Sequence, residues 1–100
     1  MRKLQIQSLE ELEQIFREKS VDMTNNIKEG IEEAMKNKKK TALLFEIEMD
    51  GMDTTFEISL TSKEWITALE NCLNHYQEWE MSDDAIDTYL LLKSLKQKTL

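Results

Sequence analysis

Residues 41–61 read TALLFEIEMDGMDTTFEISLT, and this stretch decides the fold. Leu43, Phe45, Ile47 and Met49 alternate with Glu46 and Glu48. Beyond Asp50-Gly51, Met52, Phe56, Ile58 and Leu60 alternate with Asp53, Thr55, Glu57 and Ser59. A period of two marks a strand with one buried and one wet face. Asp50-Gly51 is a type I′ hairpin signal, because both turn residues need positive φ. A two-residue loop there pairs residue 49 with 52, 47 with 54, 45 with 56 and 43 with 58, all on the apolar face. The expected element is an antiparallel hairpin with Phe45 opposite Phe56, Leu43 opposite Ile58, and all four buried. Glu46, Glu48, Asp53 and Glu57 then gather on the opposite face.

Working outward from the hairpin, residues 3–7 alternate with Leu4 and Ile6 on one side, which suits a short third strand. Ser8-Leu9-Glu10-Glu11 has the form of a capping box and opens a helix through Leu9, Leu12, Ile15 and Phe16. Met23, Ile27, Ile31, Ala34 and Met35 continue the helical spacing to about Lys38. Two readings stay open for residues 9–38: one bent helix, or two with a break near Ser20. On the C-terminal side, Thr61-Ser62-Lys63-Glu64 is a second capping box. It opens a helix striped by Trp65, Leu69, Cys72, Tyr76 and Trp79, with Ile66 and Leu73 widening the stripe. Ser82 reads as the cap of a last helix holding Ala85, Ile86, Tyr89, Leu90, Leu92 and Leu95. Asp83, Asp84 and Asp87 come early in it and Lys93, Lys96 and Lys98 late, which suits the helix dipole. The short connection at 80–82 makes the last two helices an antiparallel pair. The fold class is α+β.

A chain of 100 residues reads as one domain, because smaller pieces would not bury a core. Proline is absent and glycine occurs twice, so irregular loops are few. Cys72 is the only cysteine, which excludes an internal disulfide and favours a reducing compartment. The opening MRKLQIQSLEELEQ turns acidic too soon for a secretory signal, and no apolar run approaches the ~18 residues of a membrane span. A cytoplasmic protein that does not engage membranes is expected.

Site chemistry is sparse. No phosphate-binding glycine loop, zinc-protease motif, nucleophile elbow or C-x-x-C is present. The expectation is a non-enzymatic protein without cofactor or metal. His75 and Glu78 stand at i, i+3 and would share a helix face, where a surface histidine near a carboxylate is favoured over a metal or proton relay. Cys72 has the position of a core residue, with no basic neighbour in sequence to activate it. Trp65, Tyr76 and Trp79 read as core aromatics, Trp79 being the likeliest to meet a partner because it ends its helix.

Charge is the uneven feature. Between residues 41 and 92 twelve carboxylates face Lys63 alone, a local charge of −11 in a chain of net charge −7. Four of them, Glu46, Glu48, Asp53 and Glu57, fall on one hairpin face, where like charges on neighbouring strands are unfavourable. That face reads either as a solvated, edge-blunting surface or as a docking face for a basic protein. Lys36, Lys38, Lys39 and Lys40 form the one basic cluster, which suits a helix C-terminus better than nucleic acid in so acidic a chain. A thin sheet also admits a homo-oligomer.

The run TFEISLTSKEW at 55–65, followed by ALENCL at 68–73, resembles the ending of small accessory proteins of large tailed bacteriophages. The resemblance covers the C-terminal half and implies an acidic hairpin running into a closing helical pair. It also implies a regulator or inhibitor that binds a host protein, sometimes by imitating the charge of DNA. It carries over no site residue.

Overall fold

The computed structural model describes residues 2–17, 20–51 and 55–98. In chain order these form β1 (Arg2–Ile6), α1 (Leu9–Arg17), α2 (Val21–Lys36), β2 (Thr41–Met49), β3 (Thr55–Thr61), α3 (Ser62–Glu78) and α4 (Ser82–Lys98). The arrangement is α+β, with two N-terminal helices, a hairpin and a closing helical pair. Residues 2–6 supply the third strand, and the sheet order is β1-β2-β3. β1 runs parallel to β2, a pairing that needs a crossover, and α1 with α2 provides it.

Local signals set the helix ends. Ser8 Oγ accepts from Glu11 N at 3.3 Å, while Glu11 Oε2 accepts from Gln7 N at 2.9 Å, one residue before the position a capping box reaches. The N-terminal helical region is two helices, and Ser20 divides them. Its backbone is extended (φ −105°, ψ 148°) and its Oγ accepts from Met23 N at 3.0 Å, capping α2. The second box closes only between side chains: Thr61 Oγ1 lies 3.4 Å from Glu64 Oε1, with no side-chain bond to the backbone. Ser82 lies inside α4, because the carbonyl of Met81 already accepts from Ala85 N at 3.0 Å. Both α2 and α3 end in a left-handed residue that is not glycine, Lys38 (φ 54°) and Glu80 (φ 57°). In each case the two following amides turn back onto the last helical carbonyls, Lys38 N to Met35 O and Lys39 N to Ala34 O, then Glu80 N to Gln77 O and Met81 N to Tyr76 O. This is the Schellman pattern.

The hairpin forms, but in a different register. Phe45 pairs with Ile58, Glu46 with Glu57, Ile47 with Phe56 and Glu48 with Thr55. Toward the other end, Leu43 pairs with Ser59 and Ala42 with Leu60, so Leu44 is left without a partner in β3. This bulge resets the alternation: Ala42, Leu44, Phe45 and Ile47 are all buried, whereas Leu43 is 40% exposed. The expected pairs of Phe45 with Phe56 and of Leu43 with Ile58 are therefore absent. Phe56 keeps the helix-side parity through Ile47 but is 48% exposed, since it sits on an edge strand at the distal end of the hairpin. The turn differs for a related reason. Gly51 has the positive φ expected of it (84°), but Asp50 is not among the residues with positive φ, so the type I′ turn is not made. Met52, Asp53 and Thr54 lie outside the described residues.

Helix α2 explains where the bulge sits. Asn26 Nδ2 donates to the Leu44 carbonyl at 2.8 Å, satisfying a group that the ladder abandons. One turn along, Gly30 faces the same place, and a Cβ there would come within 2.6 Å of Leu44 Cδ2. The core continues through Ile6, Ile31 and Ala34, through Trp65 and Leu69 of α3, and through Leu92 and Leu95 of α4. Trp65 Nε1 donates to Leu60 O at 2.9 Å and ties α3 back to β3. The Cα extents of 44 × 30 × 16 Å are those of a slab with one sheet layer under its helices.

Two outcomes follow from this arrangement. Leu44→Ala should lower unfolding free energy by about 2–4 kcal/mol, and Leu43→Ala by less than about 1 kcal/mol, in urea titrations. Strict alternation would give the reverse order. Glu80→Gly should stabilise by about 0.5–1 kcal/mol by relieving the left-handed backbone, seen as a higher Tm.

Candidate functional site

Alternation with the buried Phe45 and Ile47 points the glutamates of β2 away from the helices. Glu46 and Glu48 lie on the outer face, and Glu57 of β3 stands directly opposite Glu46. The rows across the sheet read Lys3–Glu46–Glu57 and Gln5–Glu48–Thr55. Strands lie about 4.8 Å apart, so opposed side chains begin about 5 Å from one another. Glu48 and Glu57 are exposed and Glu46 is half-buried between its neighbours. None of the three has an ion-pair partner among the described residues, although Lys3 shares the row of Glu46. Like charges directly opposite on a sheet are destabilising, on the order of 0.5 kcal/mol per pair. Asp53, expected beside them, lies outside the described residues. The face is otherwise lined by small polar groups, with Thr55, Ser59 and Thr61 exposed along β3 and Leu43 the one apolar side chain among them.

Trp79 does not join this group. It follows α3, on the helical layer, half-buried against His75 (ring centroids 5.5 Å apart) and edge-on to Tyr76 (6.3 Å). Nor is the count of twelve carboxylates against one lysine kept in three dimensions. Lys28 of α2 reaches α4 and lies 3.9 Å from Asp84 and 3.7 Å from Asp87, its side chain only 11% exposed. The surplus of negative charge is thus concentrated on the sheet and the α3–α4 corner. Lysines 38–40 are exposed in the loop after α2, and Lys36 pairs with Glu32 one turn back at 3.3 Å.

A second polar group, not legible as a set in the sequence, joins the helices. Thr24 and Thr88 are fully buried. Thr24 Oγ1 lies 3.3 Å from His75 Nδ1, Cys72 Sγ is 3.8 Å from the Thr24 carbonyl, and the Tyr76 hydroxyl donates to Asn25 Oδ1. Thr88 Oγ1 donates to the Asp84 carbonyl at 2.7 Å. His75 therefore spends a ring nitrogen between α2 and α3. Burial pushes the Cys72 thiol up to about 11, against a smaller opposing pull from Lys28, and also raises the Tyr76 phenol. Such groups hold their protons at neutral pH and serve as packing with satisfied hydrogen bonds. Among the described residues no group of three or more His, Cys, Asp or Glu is placed to hold a metal ion, and no helix is long and apolar enough to cross a membrane.

Comparison with known proteins gives no match to a family model, to a curated protein or to a solved structure.

The Cys72 thiol should resist alkylation at pH 8 in the folded protein and react promptly in denaturant. Its raised value also sets a pH window. Between pH 9 and 11 the unfolded chain loses the proton that the fold retains, so its contribution is intact below pH 9 and lost as pH rises to 11. The stability of Cys72→Ala should therefore fall less steeply than that of the wild type across that window.

Proposed function

We propose that this protein is a non-enzymatic binding module whose docking surface is the helix-free face of the sheet, and that its partner is a basic protein surface. The observation that carries this reading is the direct opposition of Glu46 and Glu57, beside Glu48, on a sheet face that none of the described helices covers. Lys3 flanks Glu46 in the same row, but Glu57 and Glu48 have no lysine opposite them in β2 or β3, so part of the like-charge repulsion is left standing. A cationic partner would turn that cost into attraction, steering encounter and fixing orientation. Leu43, on the same face, adds an apolar contact at the rim of the acidic patch. The likeness of residues 55–73 to phage accessory proteins supports the narrower reading of a regulator or inhibitor of a host protein.

The test is a triple variant, Glu46→Gln with Glu48→Gln and Glu57→Gln, compared with the wild type in pull-downs from bacterial lysate at about 0.05 M and 0.5 M salt. The same captured protein should be retained by the wild type at low salt, released at high salt as screening shortens to a few ångströms, and lost from the variant. The variant should unfold at the same denaturant concentration or slightly higher, since like-charge repulsion is relieved. Retention of the same partner by the variant, within about twofold of the wild type at low salt, would refute the proposal.

A further inference from the structure

Helix α4 is apolar on two sides. One side enters the core through Leu92 and Leu95, with Thr88 buried beside them. The other carries Ile86, Tyr89 and Leu90, each more than half exposed (58%, 55% and 55%). These three occupy i, i+3 and i+4, so they form one continuous patch. A helix with apolar residues on opposite sides is normally covered on both. Here the second side is bare.

The charges along that side show what would cover it. At 100° per residue the outward seam of α4 runs Asp83, Ile86, Leu90, Lys93, acidic at its start, apolar in the middle and basic at its end. A seam of that kind is complementary to itself when turned end for end. About a two-fold axis level with Thr88, Ile86 of one copy meets Leu90 of the other, Leu90 meets Ile86, and Asp83 meets Lys93 at both ends. Within the chain neither Asp83 nor Lys93 has an ion-pair partner among the described residues. Shallow grooves between α3 and α4 run beside the seam: Glu70, Leu73, Asn74 and Tyr89 border one stretch, and Tyr76, Gln77, Ala85 and Ile86 the other.

We infer that this face is where a second copy of the chain docks, α4 against α4, antiparallel, in the register that sets Ile86 on Leu90 and Asp83 on Lys93. An isologous contact of this sort closes at two subunits. Because α4 packs on α3 and the acidic glutamates lie on the opposite side of the sheet, the pairing leaves both acidic faces open. The dimer would present two such faces, and this inference stands whether or not they bind a basic partner.

Sedimentation and light scattering at about 100 µM test it. The wild type should run at twice the chain mass of 11.8 kDa, and Leu90→Glu at the chain mass with an unchanged far-UV spectrum. Asp83→Lys alone and Lys93→Asp alone should each weaken dimerisation about tenfold or more, because the two-fold symmetry doubles each repulsion. Both changes in one chain should restore it. Orientation is read by oxidation: a mixture of Ile86→Cys and Leu90→Cys chains should cross-link, and neither alone should do so, since equivalent positions lie about 6 Å apart along the helix. A monomeric wild type would overturn the inference, as would a dimer that survives Leu90→Glu, a double charge variant as weak as the single ones, or self-cross-linking of Ile86→Cys alone.

Discussion

The hydrogen bond from Asn26 Nδ2 to the Leu44 carbonyl joins α2 to the one residue of β2 that the hairpin ladder skips. Strict alternation over residues 42–47 would send three side chains to each face. With the bulge, Ala42, Leu44, Phe45 and Ile47 all reach the helices, and the central strand becomes an almost continuous apolar floor. The helix layer needs that floor, because β1 and β3 add little: among the described side chains Ile6 is the one fully buried in β1, and β3 has none. Gly30 lets α2 settle onto the bulge. An unsatisfied carbonyl buried at that point would cost about 1–3 kcal/mol, so Asn26 and the bulge stand or fall together.

The same bulge decides the surface. It sets Glu46, outward-facing in either register, directly opposite Glu57, and among the described residues it leaves the outer face free of aliphatic side chains except Leu43. A slab 16 Å deep has two broad sides, and this chain treats them differently. The sheet side gathers Glu46, Glu48 and Glu57, with Lys3 beside Glu46 in its row. On the helical side, negative charge is partly neutralised by Lys28 reaching Asp84 and Asp87, and an apolar stripe runs along α4. Charge on one side and apolar surface on the other would keep the proposed partner binding apart from the proposed self-association, so that each could be disturbed without the other.

What the sequence disclosed was local. The caps at Ser8 and Ser20, the hairpin, the stripe of α3 and the fold class all rest on neighbours within four residues. The register failed because Leu43 and Leu44 are both aliphatic, and the pattern from 41 to 49 accepts either one inside. The choice is made by Asn26 and Gly30, 14–18 residues earlier, and no pattern within the hairpin carries it. Asp50-Gly51 suggested a tight turn, and Gly51 took the expected conformation, but the chosen ladder needs a wider connection between Glu48 and Thr55. The outward direction of Glu46, Glu48 and Glu57 survived the change of register because their parity relative to Phe45 and Ile47 did not change. In α4 the apolar residues surround the helix, so spacing alone could not say which of Ile86, Tyr89, Leu90, Leu92 and Leu95 face the core. Lys28 was out of reach for the same reason: nothing in its own stretch points to Asp84.

Cross-strand nuclear Overhauser contacts in a uniformly labelled sample test the bulged register most directly. The backbone protons of Phe45 should contact those of Ile58, Glu46 those of Glu57, and Leu43 those of Ser59, with the Asn26 side-chain amide close to Leu44. Contacts from Phe45 to Phe56 and from Leu43 to Ile58 would show an unbulged ladder. They would contradict both the packing of α2 and the placing of Glu46 opposite Glu57.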